Sequence, residues 1–361
     1  MTDSPISFPG LFGDWQFTAS SAALHIGSRS IYWYGILITL GLVLALALCM
    51  RQKEKYGISE DNLLDGVLWG IPCGILGARI YYVLFYLDNF KNSDGSFSWS
   101  KAIAIWDGGL AIYGTVIIVV IIALCLSRRK GEKGFKFFAM TDLVVIGLFV
   151  GQLVGRWGNF MNREAFGSET TLPWRMRLTT VAGAYIEVHP TFLYESLWNL
   201  VGLLLLLFVV SRARRFDGEN TWFYFLWYGV GRSWIEGLRT DSLYLFDWTL
   251  FGAPIRVSQV LSIAMVFVSL FMLVYNIKIK PHKPEELWVN QVAARKAARD
   301  ALADPLRQRQ LHEDAVDVRA AVQRSDPREQ LALRRLRGQA EVHAADAALL
   351  TVARLAAHID L

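Results

Sequence analysis

The stretch IYWYGILITLGLVLALALCM, residues 31–50, carries no charged side chain over twenty consecutive positions. A helix of about twenty residues rises about 30 Å, which matches the hydrocarbon thickness of a bilayer. A run of this length and polarity predicts a transmembrane helix. The whole chain shares this character, because 53% of its 361 residues are hydrophobic and only 19% are charged. These proportions argue against an ordinary soluble protein.

Six further apolar segments of comparable length follow along the chain. They lie near residues 62–86, 108–126, 138–158, 190–210, 221–238 and 256–277. Short connections rich in charged residues, Gly, Asn and Asp separate them, as expected where backbone groups meet water. The sequence therefore predicts an all-α polytopic membrane protein with seven transmembrane helices, which together form a domain at residues 31–277.

The lysines and arginines of the connections predict the orientation of these helices. The loops at 51–60, 127–137 and 211–220 carry eleven such cations in 31 residues, whereas the connections on the other side carry six in 98. Because cytoplasmic loops are enriched in positive charge, we expect the N-terminus outside and the C-terminus in the cytoplasm. Residues 1–30 are then an extracytoplasmic segment, and residues 278–361 are a charged, Ala- and Arg-rich cytoplasmic tail, helical or partly disordered.

The sixth apolar segment ends in four polar or charged residues that share one helical face. Tyr228, Arg232, Glu236 and Arg239 follow one another at intervals of four, four and three. Charges at membrane depth are costly and by default mark a functional site. The alternative is an Arg–Glu pair that only neutralises itself. Two arginines with one glutamate leave a surplus positive charge, which favours the binding of an anion.

Polar residues also collect at the same end of the fourth segment. The run GRWGNFMNREAFG occupies residues 155–167, and in it Arg156 and Asn159 share a helical face while Glu164 follows. An arginine that only snorkels to the interface is the alternative interpretation of Arg156. The amides and the carboxylate that follow it favour a functional role.

Two further outward-facing regions carry candidate residues. The run HPTFLYE, residues 189–195, leads into the fifth segment. Glu195 lies about one turn inside it and needs a partner there, which we expect an arginine to supply. Tyr34 opens the first segment, and Tyr113 lies in WDGGLAIYG, residues 106–114, at the start of the third. Either tyrosine could belong to a site or to the aromatic belt of the membrane interface.

Taken together, these motifs resemble the bacterial prolipoprotein diacylglyceryl transferase family. The resemblance covers about residues 20–277 and rests above all on the long run at 155–167. The family's other motifs occur in its order: WYG at 33–35, WDGGLAIYG, HPTFLYE, and R-x-x-x-E-x-x-R at 232–239. The family's seven-span topology with the N-terminus outside agrees with the orientation expected from loop charge.

The resemblance implies an enzyme and its partners. Such an enzyme transfers the diacylglyceryl group of phosphatidylglycerol to the lipobox cysteine thiol in a prolipoprotein signal peptide and releases a glycerol phosphate. This is the first step of bacterial lipoprotein maturation. The resemblance also implies a multi-pass protein of the bacterial inner (plasma) membrane, surrounded by membrane lipid, with its site facing the extracytoplasmic leaflet. No metal site or nucleotide-binding loop is evident in the sequence, so we expect no cofactor and no nucleic acid.

The motifs predict two groups of site residues. The expected catalytic residues are Tyr34, Tyr113, Asn159, Glu164, Arg232 and Glu236. The expected substrate-binding residues are Arg156, Arg232, Arg239, Gly167, His189 and Tyr194. Within the family resemblance, the two arginines that contact phosphatidylglycerol are Arg156 and Arg232. Their guanidinium groups would stabilise the charge that develops on a departing phosphate.

The chain departs from the family's pattern at Tyr113, where many members carry a histidine. If that histidine is the base that removes the thiol proton, this chain must use another group. A free thiol has a pKa of about 8.5, and a free phenol has a pKa of about 10. Tyr113, Glu236, Glu164 and water all stay open as the base.

A membrane carrier or receptor for an organic anion is the main alternative function. Transporters often show internal repeats or helices broken at mid-membrane. The two halves of this sequence show no repeat, and its unusual residues lie at one end of the spans. A structural scaffold, the third possibility, would leave the arginine-bearing face unexplained.

Overall fold

The computed structural model describes residues 4–18, 20–27, 29–92, 94–129, 134–180, 183–241, 244–250 and 253–303. The chain divides into two units at Pro284. The described helices of the first unit are α1 (Pro9–Phe12), α2 (Trp33–Gln52), α3 (Glu60–Phe85), α4 (Trp99–Ile103), α5 (Ile112–Ser127), α6 (Phe137–Asn162), α7 (Thr191–Leu205), α8 (Glu219–Leu238) and α9 (Val257–Val274). The second unit contains α10 (Trp288–Ala303). Residues 304–361, most of the predicted cytoplasmic tail, lie outside the described residues.

Each of the seven apolar segments forms one long helix, α2, α3 or one of α5 to α9. In the described part of the chain, the helices long and apolar enough to cross a membrane are Trp33–Tyr56, Glu60–Phe85, Phe137–Asn162, Thr191–Ala213 and Val257–Ile279. Helix α5 is apolar but has only 16 residues, whereas α8 has 20 residues but contains several charged side chains. The protein is therefore a mostly helical membrane protein with five candidate spans among its described residues.

Helix α6 contacts most of the helices that carry predicted site residues. It packs against α2, α7 and α8, while α3 packs chiefly against α5. Small residues let α2 and α6 approach closely, since a Cβ atom at Gly41 would lie 3.5 Å from Cα of Gly151. A Cβ atom at Gly147 would lie 3.2 Å from Sγ of Cys49. These contacts run in opposite directions along the two helices, so the start of α2 lies beside the end of α6.

Asp142 of α6 fixes the start of α8. Its buried carboxylate accepts the N–H groups of Gly218 at 2.8 Å and Thr221 at 2.9 Å, and the Thr221 hydroxyl at 2.8 Å. The first amides of a helix have no partner within the helix, so a carboxylate at this end satisfies them. Arg156 lies roughly 21 Å beyond Asp142 and Arg232 roughly 16 Å beyond Thr221, at 1.5 Å per residue. The hydrogen bonds between Asp142 and the start of α8 therefore bring these two arginines to similar positions along the helix axes.

The expectation of an all-α chain is wrong in one respect, because short strands form three small antiparallel sheets between the helices. The strands are β1 (Ile6–Ser7), β2 (Gln16–Phe17), β3 (Ala22–Ile26), β4 (Arg29–Tyr32), β5 (Met176–Thr179), β6 (Tyr185–Val188), β7 (Tyr244–Leu250) and β8 (Ala253–Arg256). One sheet has the order β2-β1-β5-β6, and β3-β4 and β7-β8 are hairpins. Side chains of the four-stranded sheet pack on Phe160, near the end of α6, and on Phe192, at the start of α7. Runs of two to seven residues are too short to show a clear period in the sequence.

Candidate active site

Three of the predicted motifs meet at Gly167, which follows α6. Its N–H donates to the carbonyl of His189 at 3.0 Å, and the N–H of Ser168 donates to the carbonyl of Leu238 at 2.7 Å. A Cβ atom at Gly167 would lie 2.7 Å from Cβ of His189 and 3.1 Å from the carbonyl oxygen of Leu238. No side chain fits there without a shift of the backbone. Gly167 therefore joins the loop after α6 to the start of α7 and the end of α8.

Arg156 of α6 and Arg232 of α8 contact the same carboxylate, that of Glu195 in α7. Nη2 of Arg156 lies 2.5 Å from Oε2 of Glu195, and Nη1 of Arg232 lies 3.4 Å from Oε1. Nη1 of Arg239 approaches the same Oε1 to 3.7 Å. Only 5% of Glu195 is exposed, so the guanidinium groups converge in a space largely shielded from water. The predicted pairing of Glu195 with an arginine is confirmed.

Glu236 is a second buried carboxylate beside these arginines. It is 1% exposed, and its Oε2 lies 2.6 Å from Nη2 of Arg232. The contact is an ion pair rather than an aligned hydrogen bond, because this oxygen receives no hydrogen bond from any described residue. The backbone carbonyl of Glu236 accepts a hydrogen bond from Arg256, at the end of β8.

Asp241 completes the charged group at the end of α8. Both of its carboxylate oxygens accept hydrogen bonds from Arg239, at 2.9 and 2.7 Å. These bonds hold the pKa of Asp241 below its usual value. The carboxylate is therefore ionised at neutral pH and contributes a full negative charge.

A chain of amides connects Arg156 to an open cavity. Nη1 of Arg156 donates to Oδ1 of Asn159 at 3.3 Å, and the Asn159 amide donates to Oε1 of Glu164 at 2.9 Å. Asn162 donates to the same oxygen at 3.3 Å. Glu164 and Tyr34 both line a cavity of about 560 Å³. Hydrogen bonds thus connect the guanidinium group of Arg156, through Asn159, to a carboxylate that lines an open cavity.

Tyr34 reaches this cavity from α2 because its ring lies over a glycine of α6. A Cβ atom at Gly158 would lie 2.6 Å from Cδ2 of Tyr34. The phenol ring therefore packs directly on the α6 backbone, one residue before Asn159. Tyr34 is 40% exposed, so the rest of the ring is open to the cavity.

The turn that carries Glu164 is held in an uncommon backbone conformation. Arg163 and Ala165, on either side of it, have φ values of 53° and 55°, a region that residues with side chains seldom adopt. Arg163 is buried and donates to the carbonyl of Ser4 at 2.8 Å. The hydroxyl of Thr191 donates to the carbonyl of Ala165. Contacts with the N-terminal segment and with α7 therefore fix the position of Glu164.

His189 and Tyr194 form a hydrogen-bonded pair at the start of α7. Nδ1 of His189 lies 3.1 Å from the hydroxyl of Tyr194, which accepts a hydrogen bond from Nε1 of Trp174 at 2.7 Å. Burial lowers the pKa of His189 below its usual value, so its imidazole is neutral at pH 7. The described contacts do not join His189 or Tyr194 to Arg156 or Arg232.

Tyr113 lies at the start of α5. Its ring packs against Tyr81 of α3, with ring centroids 6.0 Å apart, and 44% of the residue is exposed. Among the contacts of the described residues, none connects Tyr113 to the guanidinium groups. The structure thus places Tyr113 on the α3–α5 pair, with its ring against Tyr81.

Some important residues were not among the predicted site residues. Glu195 was expected only as a partner for arginine, and Arg256 was not singled out at all. Arg79, buried within α3, donates to backbone carbonyls at 2.5–3.0 Å; these belong to Lys101, Ala102, Ala104, Gly108 and Gly109. It therefore fixes the segment that leads to Tyr113. The signal available in the sequence was a lone arginine inside an apolar segment.

The site contains the side chains of an anion receptor rather than those of a metal centre. Among the residues that the structure describes, no group of three or more His, Cys, Asp or Glu is placed to hold a metal ion. Guanidinium groups instead provide the charge, and they bind phosphate and carboxylate oxygens through paired N–H groups.

Comparison with known proteins agrees with this chemistry. A family model described as prolipoprotein diacylglyceryl transferase matches residues 21–275. The phosphatidylglycerol–prolipoprotein diacylglyceryl transferase of Listeria innocua is 40% identical over 284 residues, which cover 76% of this chain and 96% of that protein. Proteins of the same name from Lysinibacillus sphaericus and Finegoldia magna are 39% and 42% identical; the matches cover 72% and 69% of this chain and 93% of each relative. The chain therefore belongs to the prolipoprotein diacylglyceryl transferase family.

Proposed function

We propose that this chain transfers the diacylglyceryl group of phosphatidylglycerol to the lipobox cysteine thiol of a prolipoprotein, the first step of bacterial lipoprotein maturation. Similar proteins from other bacteria carry the name of this transferase. The observation that carries the proposal is the convergence of Arg156 and Arg232, from two different helices, on one carboxylate. Two guanidinium groups this close together can bind the oxygens of a single phosphate.

The reaction forms one bond and breaks another. The thiolate sulfur attacks the glycerol carbon that bears the phosphate, a C–S bond forms, and the C–O bond to the phosphate breaks. The bonding electrons pass to the phosphate oxygen, and glycerol phosphate leaves. We assign the stabilisation of this developing charge to Arg156 and Arg232, since both are held in a site that largely excludes water.

The thiol must lose its proton before it can attack, because the thiolate is the nucleophile. Glu236 is 1% exposed and forms an ion pair with Arg232, so its carboxylate is closed to a substrate thiol. Glu164 instead accepts hydrogen bonds from neutral amides and lines the cavity. We therefore assign proton removal to Glu164, and Tyr113, which packs against Tyr81, is not favoured for this step.

We also propose seven spans, with the N-terminus outside and the site at the extracytoplasmic leaflet of the bacterial inner membrane. Helices α5 and α8 would complete the seven. The charges of α8 do not argue against a span, because Glu236 is buried among other helices rather than exposed to lipid. The predicted site residues lie at or next to the ends of α6 and α8 and the starts of α2, α5 and α7, opposite the lysine- and arginine-rich connections.

A transfer assay with purified protein tests the proposed activity. Phosphatidylglycerol labelled in its acyl chains is mixed with a peptide that contains a lipobox cysteine. We expect the label to move to this peptide and not to the matched Cys→Ser peptide. Label that stays wholly on the phospholipid, with the competent peptide present, would refute the proposal. An organic-anion carrier would instead move an anion across vesicles without forming a thioether.

A further inference from the structure

The charged side chains around Glu195 do not cancel. In the described part of the chain, three guanidinium groups form ion pairs with three carboxylates: Arg156, Arg232 and Arg239, with Glu195, Glu236 and Asp241. A fourth guanidinium, that of Arg256, donates to the backbone carbonyl of Glu236, and this contact brings no carboxylate with it. The group therefore carries one surplus positive charge. Glu164 is not counted in this group, because its carboxylate is connected to Arg156 only through the neutral amide of Asn159.

The substrate and the product of the proposed reaction carry different charges. The phosphodiester of phosphatidylglycerol is a monoanion. The released phosphate monoester has a second pKa of about 6, so it is mostly a dianion above pH 7. A strongly cationic pocket would bind the dianion more tightly than the monoanion, and the product would leave slowly. An effective site for this reaction therefore needs a limited positive charge.

Glu195 is the carboxylate best placed to limit that charge. It contacts Arg156, Arg232 and Arg239 at 2.5, 3.4 and 3.7 Å, whereas Glu236 makes its side-chain ion pair with Arg232. Glu195 is also 5% exposed, so water and salt screen its charge only weakly.

Glu195 lowers the charge without using all the donors that a phosphate needs. A guanidinium has five N–H groups. Among the described contacts, Arg156 uses Nη1 toward Asn159 and Nη2 toward Glu195, and Arg232 uses Nη1 and Nη2 toward Glu195 and Glu236. Nε of each arginine makes none of these contacts. Donors therefore remain for the oxygens of a phosphate.

We propose that Glu195 sets the charge of the phosphate site, so that the site holds a monoanionic phosphodiester without trapping the dianionic monoester that the reaction releases. This inference rests on the proposed function, because that reaction defines the two anions. A purely structural role for Glu195 makes a different prediction. Loss of a merely structural contact would weaken the binding of both anions alike, whereas loss of the charge would change their ratio.

The test compares the binding of two anions by calorimetry at pH 7.5, with glycerol phosphate as the dianion and its methyl ester as the monoanion. The full chain is used in detergent, as the wild type and as Glu195→Gln. In the wild type the two dissociation constants should agree within about threefold. In Glu195→Gln the affinity for glycerol phosphate should rise by about tenfold or more relative to that for the methyl ester.

Glu187 provides a matched control, because its carboxylate is also shared by two arginines. It lies 2.5 Å from Arg175 and 2.7 Å from Arg177 on the four-stranded sheet. Glu187→Gln should leave the ratio of the two dissociation constants unchanged. Glu195→Asp keeps the charge and should also keep the wild-type ratio.

Two results would overturn the proposal. One is an equal change of both affinities in Glu195→Gln. The other is wild-type protein that binds glycerol phosphate more than about tenfold tighter than the methyl ester, because such a site lacks the proposed charge limit. This second result needs only the wild type and does not depend on the folding of any variant. Calorimetry requires no turnover, so these results are separate from a failure of the transfer assay, which would count against the proposed function itself.

Discussion

Replacement of Arg232 by alanine should reduce transfer more than any other single change at the end of α8. The substitution removes the guanidinium that lies 3.4 Å from Glu195 and 2.6 Å from Glu236. Loss of one preorganised donor to a developing anion typically costs about 10²–10³-fold in kcat, or roughly 3–4 kcal/mol. We therefore expect kcat to fall by at least about a hundredfold at saturating phosphatidylglycerol.

The same substitution should also destabilise the fold, and the two effects must be separated. Glu236 is 1% exposed and would lose its ion-pair partner, which for a buried pair costs about 3–5 kcal/mol. The other end of α8 offers a matched control. There Arg215 forms an ion pair with Glu219, four residues later in the chain, and Glu219 is buried, with 2% of the residue exposed. Arg215→Ala should lower Tm by a similar or smaller amount, since Arg215 is itself more exposed to solvent.

The assay is the initial rate of label transfer to the lipobox peptide, measured on variants whose Tm lies well above the assay temperature. Arg215→Ala should transfer label within about threefold of the wild-type rate, because its ion pair lies at the opposite end of α8 from the site. An Arg232→Ala variant with kcat within threefold of the wild type would refute the assigned role. Equal losses of kcat in both variants would show that the effect is one of stability alone.

Three further changes test other parts of the site. Gly167→Ala should lower both Tm and the rate of label transfer. The added Cβ would lie 2.7 Å from Cβ of His189, and overpacking of this kind costs about 1–3 kcal/mol. Gly151→Ala is the control, because the space around its added Cβ is open. Burial lowers the pKa of His189 in the folded protein, so the unfolded protein binds a proton at this residue more readily. Tm should therefore fall as the pH drops below about 6.5. This part of the pH dependence should be absent in His189→Gln. Tyr113→Phe should transfer label within about twofold of the wild type across pH, whereas a large loss would return its hydroxyl to the list of bases.

The apolar helices could be predicted from the sequence because length and polarity are local properties of a segment. Each of the seven apolar segments contains a long helix that begins within a few residues of the expected position. The charged and polar candidates were also readable, since a charge inside an apolar run is conspicuous. Short strands were not readable, because a strand such as β5 has only four residues and is stabilised by packing on α6 and α7.

Only the tertiary structure decided which of the candidates act together. The sequence separates Arg156, Glu195 and Arg232 by more than thirty residues each, and their distances depend on how α6, α7 and α8 pack. The same packing leaves Tyr113 beside Tyr81, although its motif is as recognisable as the others. Sequence motifs thus determined which chemical groups this protein has at one end of its spans. Helix packing decided which of them converge on one carboxylate, because electrostatic and hydrogen-bond energies depend on distances of a few ångströms between residues far apart in the chain.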